Sequence, residues 1–493
     1  MTDAGVTSAV PQDLLRDLAA IVGAGHVATR IAARAVYECD GYTLERAVPD
    51  LVVHPGTVEE TAEVVSRLAA AGMAIVPRGA GTSLAGGCLA PAGAAVVALT
   101  RLDRVEEIDV ENRQALVQAG VVNAALSRRA RGEAPLHFAP DPSSQSACTV
   151  GGNIANNSGG PHTLKVGVTV NHVLAVELVT PDGNRRWLGS RSPARGGLDL
   201  AGLAVGNEGT FGIVTRAWVR LTPVPPAART VLASFGSVEE ASRAVTAIIG
   251  SGVVPAAVEM MDALVLDALA RAFSRAFPAG SEAVLLVEVD GVEEGLEEEA
   301  LEVDRACRAA GAFEVRRADA PAERALLWKA RKQAFAALGR IARSYCTQDG
   351  VVPRTLLPEA LERIREIGAR HRLRIANVFH AGDGNLHPTL LYDERDPGEI
   401  ERVLAASVDI LTACLELGGS LTGEHGIGVE KVALMERAFP AATLEVMGAV
   451  RKVFDPGTRC NPNKLLPAGG GCPDPAGPRP ALGRVLPGRR APQ

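Results

Sequence analysis

The chain has 493 residues with 47% hydrophobic and 22% charged residues, which is ordinary for a soluble protein of about three domains. Fifty-one Lys and Arg residues oppose 57 Asp and Glu residues, and the net charge of −6 with only 3% aromatic residues argues against a nucleic-acid-binding protein. The eight Cys residues form no Cys-x-x-Cys pair, so neither an iron–sulfur cluster nor a zinc knuckle is indicated.

The apolar residues are spread along the chain. No run of about 18 consecutive apolar residues occurs, so the protein is not expected to span a membrane. The first residues lack a basic start followed by an apolar run, which argues against a secretory signal. An acidic chain with isolated Cys residues predicts a cytoplasmic location.

The N-terminal half reads as a helical segment, residues 1–45, followed by a block of helices and strands, residues 46–224. Short helices are predicted over 14–22 and 31–36, and the capping box of Thr57 and Glu60 starts a third helix. Runs rich in β-branched residues predict strands over 74–76, 96–100, 105–110, 115–118, 173–179 and 212–221. Three prolines, Pro223, Pro225 and Pro226, then form a linker.

The next block shows a weak internal duplication of a strand–helix–strand order. The predicted segments are 231–235, a helix capped by Ser237, 257–261, 283–289, 294–309 and 313–316. Two such units predict a small antiparallel sheet covered by helices on one face. A basic helix is predicted over 321–343, and residues 468–493 have the composition of a disordered tail.

Three loops rich in Gly and small polar residues carry the first chemical signal. The first loop, 77–87, follows a strand and could cradle a phosphate with its backbone N–H groups, although its spacing fits neither a Walker nor a Rossmann motif. The second runs from 140–144 into 149–160, and the third spans 205–213. Such long loops are costly in conformational entropy, so three in one block favour a bound cofactor over flexible turns.

A second chemical signal lies near the C-terminus. His380 and His387 flank a Gly-rich turn, and Glu424 precedes His425. Two imidazoles and a carboxylate are a common ligand set for a divalent metal, although ordinary hydrogen-bonded histidines are the alternative. Arg331 is a candidate for binding a substrate carboxylate, with an exposed basic helix face as the alternative.

Taken together, these motifs resemble the FAD-linked oxidases of the vanillyl-alcohol oxidase and p-cresol methylhydroxylase type, and most of all the FAD-binding subunit of glycolate oxidase and D-lactate dehydrogenases. The resemblance covers residues 46–467. It implies an α+β fold with a two-subdomain FAD-binding domain, residues 46–224, and a ferredoxin-like α+β substrate (cap) domain, residues 225–415. Residues 416–467 would return to the FAD domain.

The resemblance also implies the residues that bind FAD. Those for the pyrophosphate are Pro77, Arg78, Gly79, Ala80, Gly81, Thr82 and Ser83. Those lining the flavin are Pro140, Asp141, Ser144, Gly151, Gly152, Asn153 and Asn157, and those near the other end of the cofactor are Gly206, Glu208, Gly209 and Ile213. Thr82 stands where relatives with covalent flavin often carry a His, so dissociable FAD is expected.

The implied activity is oxidation of a D-2-hydroxy acid, glycolate or D-lactate, to the 2-oxo acid. His380, His387 and Glu424 would hold a divalent metal (zinc, manganese or iron) that lowers the pKa of the substrate hydroxyl. His425 would be the general base, and flavin N5 would accept the hydride. Arg331 would bind the substrate carboxylate, and Asn385 would orient a ligand or contact the substrate.

The resemblance also bears on the electron acceptor and on partner subunits. A quinone, a cytochrome or an iron–sulfur partner subunit is expected to take the electrons, in a homo-oligomer or a multi-subunit complex associated with a membrane through a partner. One alternative function is a flavin-dependent transferase of the ether-lipid alkyl synthase kind. Another is a noncatalytic electron-transfer subunit, which the complete His and Glu set disfavours.

Overall fold

The computed structural model describes residues 10–192, 196–273, 277–318 and 320–467. They form two compact units, one made of the described residues up to Val224 and from Glu424 onward, and one running from Pro225 to Gly423. Both units mix helices and strands, which confirms the predicted α+β class. The tail predicted to be disordered, 468–493, lies outside the described residues.

The helices end close to where the sequence patterns end. The segment predicted as a helix over 31–36 is helical only to Arg34 and continues as a 3₁₀ turn, and the helix predicted over 321–343 ends at Leu338. In chain order the helices are α1 (Gln12–Val22), α2 (Ile31–Arg34), α3 (Val58–Ala70), α4 (Asn123–Glu133), α5 (Val150–Asn156), α6 (Thr163–Val166), α7 (Leu200–Ala204), α8 (Val238–Gly250), α9 (Ala263–Phe273), α10 (Glu293–Ala309), α11 (Pro321–Leu338), α12 (Leu357–His371), α13 (Pro397–Glu416), α14 (Met435–Ala438) and α15 (Ala441–Phe454).

The strands follow the same numbering. They are β1 (Val27–Ala28), β2 (Leu51–Val53), β3 (Ala74–Arg78), β4 (Ala94–Ala98), β5 (Val105–Asp109), β6 (Gln114–Gln118), β7 (Leu136–His137), β8 (Val173–Val179), β9 (Arg185–Gly189), β10 (Ile213–Arg220), β11 (Thr222–Pro223), β12 (Ala227–Phe235), β13 (Ala257–Asp262), β14 (Ala283–Gly291), β15 (Glu314–Ala318), β16 (Ser344–Thr347), β17 (Gly350–Val351), β18 (Arg374–His380), β19 (Asn385–Leu386) and β20 (Pro388–Tyr392).

The first unit contains a mainly parallel sheet of order β1-β2-β4-β3. Helix α3 covers it, and half of the predicted capping box forms: Thr57 Oγ1 accepts from the N–H of Glu60 (3.0 Å), whereas Glu60 Oε2 accepts from the N–H of Gly56 (2.7 Å) and not from that of Thr57. The apolar face of α3, including Val64 and Leu68, is fully buried. This packing fixes the end of β3, where the first Gly-rich loop begins.

A second sheet in the same unit is antiparallel, with the order β5-β6-β10-β8-β9. Every residue of β8 is buried, as expected for a strand in the interior of a sheet. Helix α5 packs on this sheet through Val150 and Ile154, which belong to the same apolar core as Phe138. The second and third loops therefore start from fixed elements.

The other unit is built around a nine-stranded sheet. Its strands β15-β12-β14-β13 are adjacent and antiparallel, the order expected for the duplicated strand–helix–strand pattern in a ferredoxin-like arrangement. The sheet continues into β18, β19 and β17, with β20 and β16 alongside, a region that the sequence patterns did not resolve into strands. This extension carries His380 at the end of β18.

None of the helices in the described ranges combines the length and the apolar character that a membrane span requires.

Candidate active site

The first unit brings the three Gly-rich loops together. A Cβ at Gly79, just after β3, would collide with the side chain of Thr149, which caps α5. The backbone N–H groups of Gly206 and Glu208 donate to the carbonyls of Ile154 and Ala155, at 2.9 and 2.8 Å. The loops predicted to bind one cofactor are therefore neighbours around the start and the end of α5.

The first loop contains polar atoms suited to an anion. Arg78 is 8% exposed, yet its Nη1 has no hydrogen-bond partner among the described residues, and the same holds for the buried Oγ of Ser83. Gly81 has a positive φ of +71°, and a Cβ there would strike the Arg78 guanidinium. A cavity of about 890 Å³ beside the loop is lined by residues that include Ala80 and Thr149. A buried guanidinium and hydroxyl without internal acceptors fit the pyrophosphate of FAD.

The second loop is held mainly by hydrogen bonds to neighbouring segments of the same unit. Asn153 Oδ1 accepts from Asn123 Nδ2 (3.0 Å), and Asn157 Oδ1 accepts from the N–H of Val170 (2.9 Å). The backbone N–H groups of Gly151 and Gly152 also donate within the unit. These contacts explain the Asn-rich and Gly-rich sequence as shaping of the loop, and its contacts with a flavin stay a prediction.

One contact of this loop with a histidine was missed by the sequence analysis. Nδ1 of His162 lies 2.7 Å from Oδ2 of Asp141, a residue predicted to line the flavin. A Cβ at Gly160 would collide with Asp141, so the glycine allows this close approach. His162 lies two positions after Gly160, at the end of the Gly-rich run, and that position was the only signal for it in the sequence.

The third loop carries a buried carboxylate that binds the segment 424–428. Glu208 is 6% exposed, and its two oxygens accept from the backbone N–H groups of Ile427 and Gly428, each at 2.7 Å. Burial raises the pKa of the Glu208 carboxyl, although these N–H groups favour its ionised form. Glu208, predicted to hold the cofactor, thus contacts the chain next to His425.

One further hydrogen bond holds the same segment, and Glu424 passes close to the second loop. Asn156 Nδ2, at the end of α5, donates to the backbone carbonyl of His425 at 2.8 Å. A Cβ at Gly159 would lie 3.3 Å from Oε2 of Glu424. The candidate base and one candidate metal ligand therefore lie against the second loop, within the unit that contains all three Gly-rich loops.

The second unit holds the two candidate histidine ligands. His380 ends β18, a turn at Gly384 with φ of +79° leads into β19, and His387 follows β19. The two rings are 3% exposed each, with centroids 5.0 Å apart and planes at 86°. The predicted Gly-rich turn thus brings both imidazoles together in a buried position.

In each imidazole, Nδ1 lies near a hydrogen-bond acceptor inside the same unit. Nδ1 of His380 lies 2.6 Å from Oε1 of Glu259, and Nδ1 of His387 lies 3.4 Å from the carbonyl oxygen of Gln348. A metal-bound His commonly donates its other ring N–H in this way, and the contact fixes its tautomer. Nε2 is therefore the nitrogen of both rings that is suited to a metal ion.

Glu259 also binds Arg331. The carboxylate is fully buried, and its Oε2 lies 2.6 Å from both Nε and Nη2 of Arg331, which is itself 2% exposed. Burial opposes ionisation of Glu259, but the charges of Arg331 and His380 hold its pKa below the usual value. Arg331 is thus not part of an exposed basic face. The sequence analysis missed Glu259, whose only signal is a carboxylate between the apolar residues Val258 and Met260 of β13.

The last residues of this unit, Thr422 and Gly423, are held by hydrogen bonds to Asp349. Oδ2 of the buried Asp349 accepts from the N–H of Gly423 (3.0 Å) and from the hydroxyl of Thr422. A Cβ at Gly423 would collide with the side chain of Asn385, whose buried Oδ1 has no hydrogen-bond partner among the described residues. Glu424 is the next residue of the chain.

Two family models match the chain. Residues 49–189 match the model described as "FAD binding domain", and residues 224–465 match "FAD linked oxidases, C-terminal domain". The first range contains the first two Gly-rich loops, and the second contains Arg331, both histidines, Glu424 and His425.

Relatives of known name align over most of the chain. The glycolate oxidase subunit GlcD of Escherichia coli is 43% identical over 87% of this chain and 86% of its own length. A D-lactate dehydrogenase of Anaerostipes hadrus is 31% identical over 85% of this chain and 90% of its own length. These similarities confirm the resemblance inferred from the motifs.

Solved structures show the same fold at low sequence identity. p-Cresol methylhydroxylase superimposes with a TM-score of 0.78 over 94% of this chain and 98% of that chain, at 16% identity. An alkyldihydroxyacetonephosphate synthase superimposes with a TM-score of 0.73 over 92% of this chain and 86% of that chain, at 18% identity. The p-cresol methylhydroxylase type of fold expected from the sequence is confirmed.

Proposed function

Because this chain belongs to the family of FAD-linked oxidases that includes glycolate oxidase subunits and D-lactate dehydrogenases, we propose that it oxidises a D-2-hydroxy acid to the 2-oxo acid. Glycolate and D-lactate are the proposed substrates, since the names of its relatives point to them. The enzyme is an FAD-linked oxidoreductase.

The contacts of the segment 424–428 are the main support for this proposal. Asn156 and Glu208, which belong to the second and third Gly-rich loops, hydrogen-bond its backbone. The hydroxyl proton and the hydride leave the same carbinol group of the substrate. The base that takes the proton must therefore lie close to the group that accepts the hydride. Attachment of His425 to the cofactor loops meets this requirement.

The first loop has the chemistry to hold FAD, which supplies the hydride acceptor when it is bound. Nη1 of Arg78 and Oγ of Ser83 would donate to the pyrophosphate, since no described residue accepts from them. Thr82 offers no nucleophile comparable to a His, so we propose that the cofactor is held without a covalent bond.

The buried histidines have the chemistry of a divalent metal site. We propose that His380 and His387 ligate the ion through Nε2, together with the carboxylate of Glu424, and a bound divalent ion supplies a Lewis acid for the substrate oxygens. The anchoring of Gly423 by Asp349 supports the third ligand, because it fixes the backbone that enters Glu424. Zinc, manganese and iron all accept this ligand set.

The remaining side chains would bind and deprotonate the substrate. His425 would take the hydroxyl proton, and its backbone is fixed by the hydrogen bond from Asn156. Nε of Arg331 donates to Glu259, whereas its buried Nη2 has no hydrogen-bond partner among the described residues, so the two Nη groups would donate to the substrate carboxylate. Asn385, with its buried Oδ1, is the proposed additional contact to a ligand or to the substrate.

The fate of the electrons completes the proposal. We infer that a quinone, a cytochrome or an iron–sulfur partner subunit accepts them, since the names of two relatives describe subunits of glycolate oxidase. A cytoplasmic location, with membrane association through such a partner, and a homo-oligomeric or multi-subunit assembly belong to the same proposal.

An anaerobic reduction experiment tests the substrate class. Purified enzyme loaded with FAD is mixed with glycolate, D-lactate, L-lactate or other 2-hydroxy acids, and the visible flavin absorbance is followed. We expect bleaching with glycolate or D-lactate and none with L-lactate. Failure of every 2-hydroxy acid to bleach the flavin would overturn the proposal.

The ether-lipid alkyl synthase alternative shares only the fold with this chain. The two buried imidazoles with Nδ1 acceptors favour the dehydrogenase, because a metal that activates a hydroxyl serves oxidation of an alcohol. Exchange of an acyl chain for a fatty alcohol without flavin bleaching would favour the transferase instead.

A further inference from the structure

We propose that Glu259 is a positioning residue that orients the metal ligand His380 and the substrate-binding Arg331 through one carboxylate. This inference rests on the proposed function, since it assigns Glu259 a task in the same site. The residue lies on β13, more than 70 positions from Arg331 and more than 120 from His380 in the chain.

The contact with His380 determines which ring nitrogen faces a metal. Oε1 of Glu259 lies 2.6 Å from Nδ1, and β13 pairs with β18 so that Glu259 stands directly opposite His380. A carboxylate in this position keeps the proton on Nδ1, turns Nε2 toward the ion and strengthens it as a donor of electrons. The register of two paired strands thus fixes both the tautomer and the plane of the imidazole.

The contact with Arg331 determines which edge of the guanidinium faces the substrate. Oε2 of Glu259 accepts a hydrogen bond from Nε and lies 2.6 Å from Nη2, although the buried Nη2 has no hydrogen-bond partner among the described residues. The other edge of the guanidinium, at the end of the side chain, includes Nη1. A substrate carboxylate would therefore meet Arg331 from a single direction, and this direction is set by Glu259.

Fold stability is an insufficient reason for this carboxylate. Val258 and Met260, on either side of it in β13, are buried and apolar, and Glu259 itself is fully buried. Desolvation of a buried ion pair often exceeds its Coulombic gain, so apolar residues in place of both Glu259 and Arg331 would stabilise the core at least as well. A carboxylate with two separate charged partners at such a position is better explained by the orientation of those partners.

Measurement of metal affinity distinguishes a role of Glu259 in positioning His380 from a role in stabilising the fold. Full-length protein is freed of metal by a chelator, and the dissociation constant of Zn²⁺ or Mn²⁺ is measured by chelator competition for the wild type, Glu259→Gln and Arg331→Met. Both variants break the same buried ion pair, but only Glu259→Gln removes the charge that faces His380. FAD content and circular dichroism report whether each variant is folded.

We expect Glu259→Gln to weaken metal binding by about 10–100-fold, the usual effect of losing such an outer partner. Arg331→Met should stay within a few-fold of the wild type for metal and should raise the substrate KM instead. Equal metal affinity in Glu259→Gln and the wild type would overturn the inference. An equal loss in both variants would also overturn it, since breaking the ion pair would then suffice.

The controls keep this result distinct from the proposed function. If the wild type binds no divalent metal, the proposed metal site itself fails, whereas a wild type that binds metal beside an unaffected Glu259→Gln defeats only the role of Glu259. If Glu259→Gln does not fold, the double variant with Arg331→Met removes the unpaired cation and is compared with Arg331→Met alone. Asp262→Asn, also on β13 but bonded to Asn377, is the control for loss of a carboxylate from this strand and should keep wild-type metal affinity.

Discussion

Asn156 donates its side-chain amide to the backbone carbonyl of His425 over 2.8 Å, although 269 positions separate the two residues in the chain. Asn156 ends α5, the helix formed by the second Gly-rich loop. The candidate base therefore belongs to the compact unit of the cofactor loops and not to the unit of the two histidines. Its distance from a bound cofactor is set within one unit.

Variants of Glu208 test whether the hydrogen bonds that hold the segment 424–428 matter for catalysis. Glu208→Ala leaves the N–H groups of Ile427 and Gly428 without their acceptor, at a cost of about 1–3 kcal/mol for each buried donor. We expect slower anaerobic flavin reduction by substrate with little change in the FAD dissociation constant, which is measured by fluorescence. Glu208→Gln, which keeps one acceptor oxygen, should have an intermediate rate.

The opposite result for Glu208 is equally informative. If Glu208→Ala loses FAD while the residual holoenzyme reduces normally, the residue holds the cofactor directly, as the resemblance implied. The role of anchoring the segment 424–428 would then be wrong.

His425 is the second test. Removal of a general base usually costs about 10²–10⁴-fold in rate, so His425→Ala should reduce the flavin at least about a hundredfold more slowly while retaining FAD. Stopped-flow reduction under anaerobic conditions gives the rate. His371→Ala, which removes a half-buried His paired with Asp409, is the control and should react like the wild type. A normal rate in His425→Ala would remove this residue from the mechanism.

The three Gly-rich loops could be recognised in the sequence because their signal is local. A phosphate cradle needs consecutive small residues, so the loop at Gly79 and Gly81 is visible in a short window of sequence. The same is true of the Gly-rich turn between His380 and His387. In both places the structure brings together residues that are already neighbours in the chain.

Contacts between distant positions had no such signal. Glu259 and Arg331 are 72 residues apart, and only the register of β13 with β18 brings Glu259 to His380. The short strands β16, β17 and β19 also escaped prediction, because two to four residues are too few to show alternation. The candidate ligands were therefore predictable, whereas the residues that orient them were not.

Removal of the metal is the third test. A Lewis acid on the substrate hydroxyl contributes several kcal/mol, so chelation should slow flavin reduction by about a hundredfold or more. FAD should stay bound, since the proposed ligands lie outside the three Gly-rich loops. Return of Zn²⁺ or Mn²⁺ should restore the rate. Elemental analysis that shows no divalent metal in fully active enzyme would contradict the assignment of His380, His387 and Glu424.

Asp262 gives a prediction about stability and pH. Oδ1 accepts from the N–H of Val265 at the start of α9, and Oδ2 accepts from the backbone N–H of Asn377. Burial raises the pKa of Asp262 to about 6 from 3.8, despite these hydrogen bonds. The folded protein therefore holds this proton more tightly than the unfolded chain does.

The sign of the effect follows from this difference. The contribution of Asp262 to the free energy of unfolding is complete below the unfolded pKa and is lost as the pH rises through about 6. The free energy of unfolding of the wild type should thus fall relative to that of Asp262→Asn over this window, by at most about 3 kcal/mol. Chemical denaturation of both proteins across the window measures it. Asp267→Asn, on the partly exposed side of α9, should keep the wild-type slope, and a constant difference for Asp262→Asn would show that burial does not shift this carboxyl.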